Sequence, residues 1–374
     1  RDEKGKKMSK TTGNVIDPLD VIEENGADAL RFSLCALATQ GRDIKLSMSV
    51  IQGYRNFINK IWNASRFLIM NLDGYESDAL PDSGDLSNYD KWILTRLNYA
   101  IRDVAGAIDG YEFDKASSYI YQFIWGDYCD WYIEAVKPEL YGDDSQSKER
   151  VRSVLVYVLA RALQMLHPIA PFISEEIYQR LREFGVKLRG TDSGISESMV
   201  VSAWPQFDNG QVFEDSHREL EFIKDIVVGV RNLRAVVRVH PSEKVSVVFM
   251  PENKRVRGYI EANRDFLLNM ASLSDFQLAE GQKPEKAIAH VNPGVEIFLP
   301  VQGLIDVDKE CARVRKEIIK IKKDLEQTER KLANQAFLSR APEEVVEKEK
   351  GKLEEMSFQK KKLEEVLEKL DSLS

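Results

Sequence analysis

The string Lys7-Met8-Ser9-Lys10-Thr11 runs into Thr12-Gly13-Asn14 and sets two ammonium groups on a polar loop with a hydroxyl between them. Lysine is a compact charge on a flexible stem, so Lys7 and Lys10 suit a grip on phosphates that move during a reaction. Cations placed where negative charge develops stabilise a transition state more than a ground state. The plain alternative is a solvated basic loop, because short basic strings are common.

Three further groups could meet a polyanion. Asn59, Asn63 and Arg66 fall at steps of four and three on the polar side of a helical stretch, with Phe67 beside them. Amide and guanidinium groups read unpaired base edges, and a ring can stack a splayed base. Two readings stand for Asn59 and Asn63, base contact or bridging between helices, and Phe67 could equally be core; for Arg66 direct RNA contact is favoured. Lys224, Arg231, Arg234 and Arg238 lie at steps of seven, three and four on one helix face. They read as a phosphate track or as a solvated face. Lys316, Lys320 and Lys323 make a second stripe beside an apolar seam, in a region where acids and bases nearly balance and many charges pair along the helix. Arg42 and Asp43, in the turn GRDIK, are expected to pair with each other or to pin the lysine loop. His167, ahead of Pro168, is expected to be a hydrogen-bonded structural histidine, and Trp92, Trp125 and Trp131 to be core.

The elements that must position these residues follow from the apolar spacing. Residues 1–46 read as loop and then helix, with Asp17 as N-cap and Pro18 at the first helical position. Val50, Phe57, Ile61 and Leu68 recur at helical steps within 47–72, and further helices are marked by Trp92 to Ile108, Phe113 to a stop at Pro138, Val151 to Leu166, and Ile173 to Leu181. Long helices joined by short loops predict a bundle over 47–205. Residues 206–305 predict a helix from about Asp215 to Arg238, then strands at Val245–Phe249, Phe276–Leu278 and Val295–Leu299 with a helix at Val256–Met270 between the first two. From 306 to 374, Val314, Ile318, Ile321, Leu325, Thr328 and Leu332 step by four and three, as do Leu353, Met356, Lys360, Leu363, Leu367 and Leu370. The intervening NQAFLSRAP reads as a turn that folds two helices back on each other, although a heptad seam serves dimerisation equally well.

The fold class expected is therefore mainly α: a helical bundle, a small α/β module and an antiparallel coiled-coil hairpin. A net charge of −8 disfavours wholesale coating of nucleic acid but leaves room for local basic stripes. No apolar run is long enough to span a membrane. Cys35, Cys129 and Cys311 lack metal-ligand spacing and read as buried thiols of a reducing cytoplasm. A polar start at Arg1 is expected to be an internal stretch of something longer.

KMSKT-TGN followed by VIDPLDVIEENGADALRF resembles the KMSKS signature region of class I aminoacyl-tRNA synthetases. LHPIAPFISEEIY, spanning His167 to Tyr178, resembles the helix junction of the anticodon domain in their valine, isoleucine and leucine branch. ATQGRDIKLS and NFINKIWNASRF narrow the resemblance to the C-terminal part of the valyl-tRNA synthetase family, and the two-helix arm in place of a cysteine-rich zinc module agrees. The resemblance implies that 1–46 is the lysine loop and stem-contact segment of a catalytic core, 47–205 the anticodon-binding bundle, and 306–374 a tRNA-binding arm. It implies that Lys10 contacts the phosphates of ATP, carried with Mg as a substrate, with Lys7 assisting and Ser9 supporting the loop. Asn59, Asn63, Arg66 and Phe67 would then face the anticodon of tRNA(Val), and the two cationic stripes its backbone. Thr11 stands where the signature has serine, and the hydroxyl survives. No H-x-G-H string, nucleotide-binding fold or editing insertion is found. These residues alone are thus expected to bind tRNA as a monomer but not to catalyse, and to hold no cofactor or metal. The alternatives are a non-catalytic synthetase-related RNA-binding or coiled-coil protein, and an isoleucyl-tRNA synthetase fragment.

Overall fold

A computed structural model describes residues 1–2, 4–75, 79–191, 194–301, 307–334 and 343–371. The chain divides into two compact units, Arg1–Leu220 and Glu221–Ser374.

The first unit is helical. Asp17 caps α1 (Pro18–Asn25) by accepting from the Leu19 amide at 2.9 Å, and α2 (Ala27–Leu37) follows after Gly26. Serine caps then open α3 (Met48–Ile69) and α4 (Asn88–Asp109), the latter with a full capping box between Ser87 and Asp90. One rod comes next, made of α5 (Phe113–Tyr121), a π-helical segment (Gln122–Tyr132) and α6 (Ile133–Tyr141). Pro138 does not stop it, contrary to the expectation from sequence. It removes one backbone donor, while Val136 and Leu140 on either side are buried and hold the turn in place. The bundle is completed by α7 (Ser145–Leu166) and α8 (Pro171–Arg182). One apolar core runs through α3, α4, the rod, α7 and α8, with Phe57, Ile61, Trp92, Leu97, Tyr128, Leu155 and Ile177 among its buried side chains. Trp125 and Trp131 pack against that core half-buried, less deeply than their apolar character predicts.

The unit boundary falls within α9 (Glu214–Val236). The second unit holds β1 (Val245–Pro251), α10 (Lys254–Ala262), α11 (Arg264–Met270), β2 (Leu273–Leu278), β3 (Ala287–Asn292) and β4 (Val295–Pro300). The sheet order is β2-β1-β4-β3, parallel between β1 and β2 and antiparallel elsewhere. The parallel pair needs a crossover, which α10 and α11 provide. β3 escapes a periodicity reading because Ala287, Ala289 and His290 are only partly buried; its turn into β4 is Pro293-Gly294, with Gly294 at φ 89°.

The helix α9 crosses this sheet at Gly229, where an added Cβ would lie 2.7 Å from His290 Cδ2 and 2.9 Å from Ile297 Cδ1. Alanine normally gains about 1 kcal/mol over glycine within a helix. Here overpacking of about 1–3 kcal/mol should reverse the sign. Gly229→Ala is expected to lower the denaturation midpoint of the second unit, followed by far-UV circular dichroism. Gly258→Ala on open α10, where no described atom other than those of its chain neighbours and its own helix backbone lies within 4 Å of the new methyl, should leave it equal or higher.

The last pair is α12 (Val307–Ala333) and α13 (Glu343–Asp371). Cys311, Val314, Ile318, Leu325 and Thr328 of α12 and Met356 of α13 are buried. The helices run antiparallel, with interhelical ion pairs Arg315–Asp371 at 2.7 Å, Lys322–Glu364 at 3.6 Å and Lys331–Glu349 at 2.6 Å. The heptad seam is therefore closed within the chain as a hairpin. The NQAFLSRAP turn after Asn334 and the Leu370 side chain lie outside the described residues.

Candidate nucleic-acid interface

The lysine loop is organised by one amide. The Asn14 side chain accepts from the Ser9 amide at 3.0 Å and from Thr12 Oγ1 at 2.7 Å, and donates to Asp2 at 2.8 Å and to the Lys7 carbonyl at 3.3 Å. Ser9 caps the 3-10 turn Lys10–Thr12, and Gly13 closes it at φ 66°. The Asn14 bond, helped by the Lys6 and Lys4 amides, holds the Asp2 carboxyl below the usual carboxylate range. Lys7 and Lys10 are exposed and form no ion pair with a described residue. The loop base is tied down by Leu46 N–H donating to the Arg1 carbonyl at 3.1 Å and by Arg1–Asp43 at 2.5 Å. Asp43 thus pairs with Arg1 and not with Arg42. The sequence reading named Ser9 but missed Thr12 and Asn14, whose signal was the T-x-N directly behind the lysines.

On α3 the apolar stripe faces the core, so Asn59, Asn63 and Arg66 are all exposed on the outer face, followed by Met70 at 74% exposure. None of the three side chains bonds to another described residue. Phe67 is half-buried and meets Tyr141 edge-on at 6.3 Å, and the Lys137 ammonium lies 5.6 Å from its ring. Lys137 and Tyr141 were legible only as one face of a helix that the sequence reading ended at Pro138. The neighbouring Lys60 is engaged elsewhere, 4.1 Å over the Trp125 ring and paired with Asp130.

The four cations read along α9 do not form one open track. Arg234 is buried and donates to the carbonyls of Ser272 at 3.0 Å, His240 at 3.2 Å and Glu243 at 2.8 Å. Lys224 pairs with Glu221 at 3.1 Å and has only 14% of its side chain exposed. Arg231 is exposed but donates through Nε and a terminal nitrogen to the Met270 carbonyl at 3.1 and 2.7 Å. Arg238 lies beyond the helix end at φ 52°, 3.5 Å from Glu317. Helical spacing shows which face a residue occupies but not which carbonyls wait above it. By contrast, Lys316, Lys320 and Lys323 on α12 are exposed and unpaired among the described residues, around an Ile319 that is 66% exposed.

His167 Nδ1 lies 2.8 Å from Ser174 Oγ, and burial depresses its basicity against the opposing pull of Glu175 and Asp28. From α2, Asp28 accepts the Phe172 and Ile173 amides at 3.3 and 2.7 Å, and Arg31 donates to the Pro168 and Ile169 carbonyls, both at 2.9 Å. Burial raises the Asp28 carboxyl, countered by the two amides and then by Arg31. Among the described residues no helix is long and apolar enough to cross a membrane, and no three His, Cys, Asp or Glu side chains group as a metal site.

Three family models match this chain in order: tRNA synthetases class I (I, L, M and V) over residues 1–47, the anticodon-binding domain of tRNA ligase over 90–249, and the valyl tRNA synthetase tRNA binding arm over 306–371. The helical bundle with its lysine loop is thus that of a class I tRNA synthetase. The valine–tRNA ligase of Geobacter sulfurreducens is 43% identical over 100% of this chain and 41% of its own length. That of Oceanobacillus iheyensis is 43% identical over 94% of this chain and 39% of the relative, and that of Aquifex aeolicus 39% identical over 100% and 32%. The chain belongs to the valyl-tRNA synthetase family and corresponds to a C-terminal part of its members. It spans less than half the length of these curated relatives. Among solved structures, the ternary complex of Agrobacterium radiobacter K84 agnB2 LeuRS with tRNA and LeuAMS overlaps it loosely (TM-score 0.43, 17% identity, 76% of this chain and 32% of that one).

Proposed function

We propose that this chain is the tRNA-holding part of a valine–tRNA ligase, which activates valine with ATP and Mg and joins it to tRNA(Val). The observation that carries the reading is the outer face of α3: Asn59, Asn63 and Arg66 are exposed, without a described partner, and lie beside the Phe67–Tyr141 ring pair. Such a face offers amide and guanidinium donors to base edges and a ring to a splayed base. Lys316, Lys320 and Lys323 meet the tRNA backbone from the arm, where charge adds affinity without sequence selection. Arg231 and Arg238 keep surface toward phosphate, whereas Arg234 and Lys224 hold the module together. Lys10 and Lys7 grip the ATP phosphates while the Ser9–Thr12–Asn14 bonds fix the loop. The division of labour is lysine loop and stem contact in 1–46, anticodon bundle in 47–205, connecting module in 206–305 and arm in 306–374. The protein acts in the cytoplasm as a monomer, and these residues alone bind tRNA without catalysing.

The substrate is tested by ATP–pyrophosphate exchange in a full-length ligase carrying this segment. Valine should outpace isoleucine by about a hundredfold, because the larger side chain must be refused by shape. Equal rates, or faster exchange with isoleucine, would overturn the assignment.

A further inference from the structure

We propose that Asp28 and Arg31 are positioning residues that lock the lysine-loop segment to the base-reading bundle, so that charging of tRNA depends on them and amino-acid activation does not. This rests on the reading of the chain as the tRNA-holding part of a ligase. The two side chains stand three residues apart on α2, hence on one face. Together they hold both kinds of backbone group in a single turn. Asp28 accepts the amides of Phe172 and Ile173 in the first turn of α8, and Arg31 donates to the carbonyls of Pro168 and Ile169 just before it.

The helix α8 cannot cap itself: its N-cap residue is Ala170, with no side-chain acceptor, and Pro171 occupies the first position. A helix N-terminus leaves its first amides unsatisfied and favours a negative charge there. The cap is instead supplied by another element, and Asp28 is only 6% exposed where it does so. Because both residues grip backbone, they fix the position of the turn and not the identity of its side chains.

The two ends of this clamp lead to the two sites. On one side, α2 is followed by Asp43–Leu46, which bonds to Arg1 at the base of the lysine loop. On the other, α8 sets the Arg180 guanidinium 5.0 Å over the Trp62 ring of α3, and the outer face of α3 carries Asn59, Asn63 and Arg66. The clamp adds polar grips on backbone to the apolar contact that Phe32 of α2 makes with Tyr54 and Phe57 of α3, at 4.9 and 5.1 Å between ring centroids, and it alone of the two fixes the turn ahead of α8. Loss of the clamp leaves each site built but lets the angle between them vary.

The test uses Asp28→Ala and Arg31→Ala in a full-length ligase carrying this segment, with Asp28→Asn and Arg31→Lys as conservative variants. Valine-dependent exchange without tRNA should stay within about twofold, while kcat/KM for charging falls about tenfold, within the usual range for coupling between sites. The penalty for an anticodon-swapped tRNA should shrink, and the conservative variants should recover part of the loss. Hydrogen exchange of the Phe172 and Ile173 amides, with tryptophan fluorescence to verify the fold, reads the clamp without any activity. A parallel loss of exchange and charging, which simple destabilisation would give, or charging left unchanged, would overturn the proposal. A wild-type ligase without valine-dependent exchange would overturn the functional reading and the claim about charging with it. That result is distinguishable, since the two amides would still lose protection in Asp28→Ala.

Discussion

Asp90→Ala is expected to lower the unfolding free energy of the helical unit by about 3–5 kcal/mol, the usual cost of breaking a buried charge pair from one side. Asp90 is fully buried and its carboxylate serves three elements at once. Oδ2 accepts from the Ser87 amide at 2.9 Å, the Ser87 hydroxyl at 2.7 Å and Arg150 Nε at 2.9 Å, and Oδ1 accepts from the Tyr132 hydroxyl at 2.6 Å. Truncation removes the carboxylate half of the α4 capping box, leaves the buried Tyr132 hydroxyl without its acceptor and leaves Arg150 paired with Glu139 among the described residues. An orphaned buried donor costs more than the bond it made contributed. All five tryptophans, Trp62, Trp92, Trp125, Trp131 and Trp204, lie in the first unit, so urea unfolding followed by their fluorescence reports on that unit alone. Breaking the exposed Arg102–Asp103 pair with Arg102→Ala should cost under about 1 kcal/mol. Equal effects of the two variants would refute the role given to Asp90.

Lys10→Ala in a full-length ligase should slow ATP–pyrophosphate exchange about 10²–10³-fold, as loss of one fixed group facing developing charge does. The loop is braced through Ser9, Thr12 and Asn14, none of which needs the Lys10 ammonium, so the variant should keep its loop shape. The loss should fall on kcat, with little change in tRNA affinity. Lys7→Ala, whose carbonyl and not its ammonium is tied to Asn14, should cost less. A fall of less than about threefold for Lys10→Ala would remove it from the phosphate site, because an effect that small amounts to under 1 kcal/mol.

Local rules carried much of the architecture. Serine and aspartate caps, the apolar stripe of α3 and the alternating steps of Val314, Ile318 and Leu325 each depend on residues within a few positions of one another, and each is visible in the order of the chain. What escaped was set across space. The rod passes through Pro138 because buried neighbours outweigh one lost backbone bond. Arg234 has the spacing of a phosphate ligand, but the carbonyls of Ser272 and Glu243 claim it. The clamp joins Asp28 to Ile173 across 145 positions, and no local pattern announces that an aspartate will cap another helix. Within the candidate site, Arg66 and its asparagines were legible because they needed only helical geometry. Tyr141 was not, since its place beside Phe67 depends on how two helices pack.

The proposed reading of the anticodon by the outer face of α3 is tested most directly by binding of this chain to tRNA(Val) and to an anticodon-swapped transcript at one fixed salt concentration. The unaltered chain should prefer tRNA(Val) by about tenfold or more, which corresponds to about 1.4 kcal/mol. In the triple variant Asn59→Ala, Asn63→Ala, Arg66→Ala that preference should collapse, while affinity for the swapped transcript, held by backbone contacts, changes little. A preference that survives the triple variant intact, or one absent from the unaltered chain, would contradict the assignment.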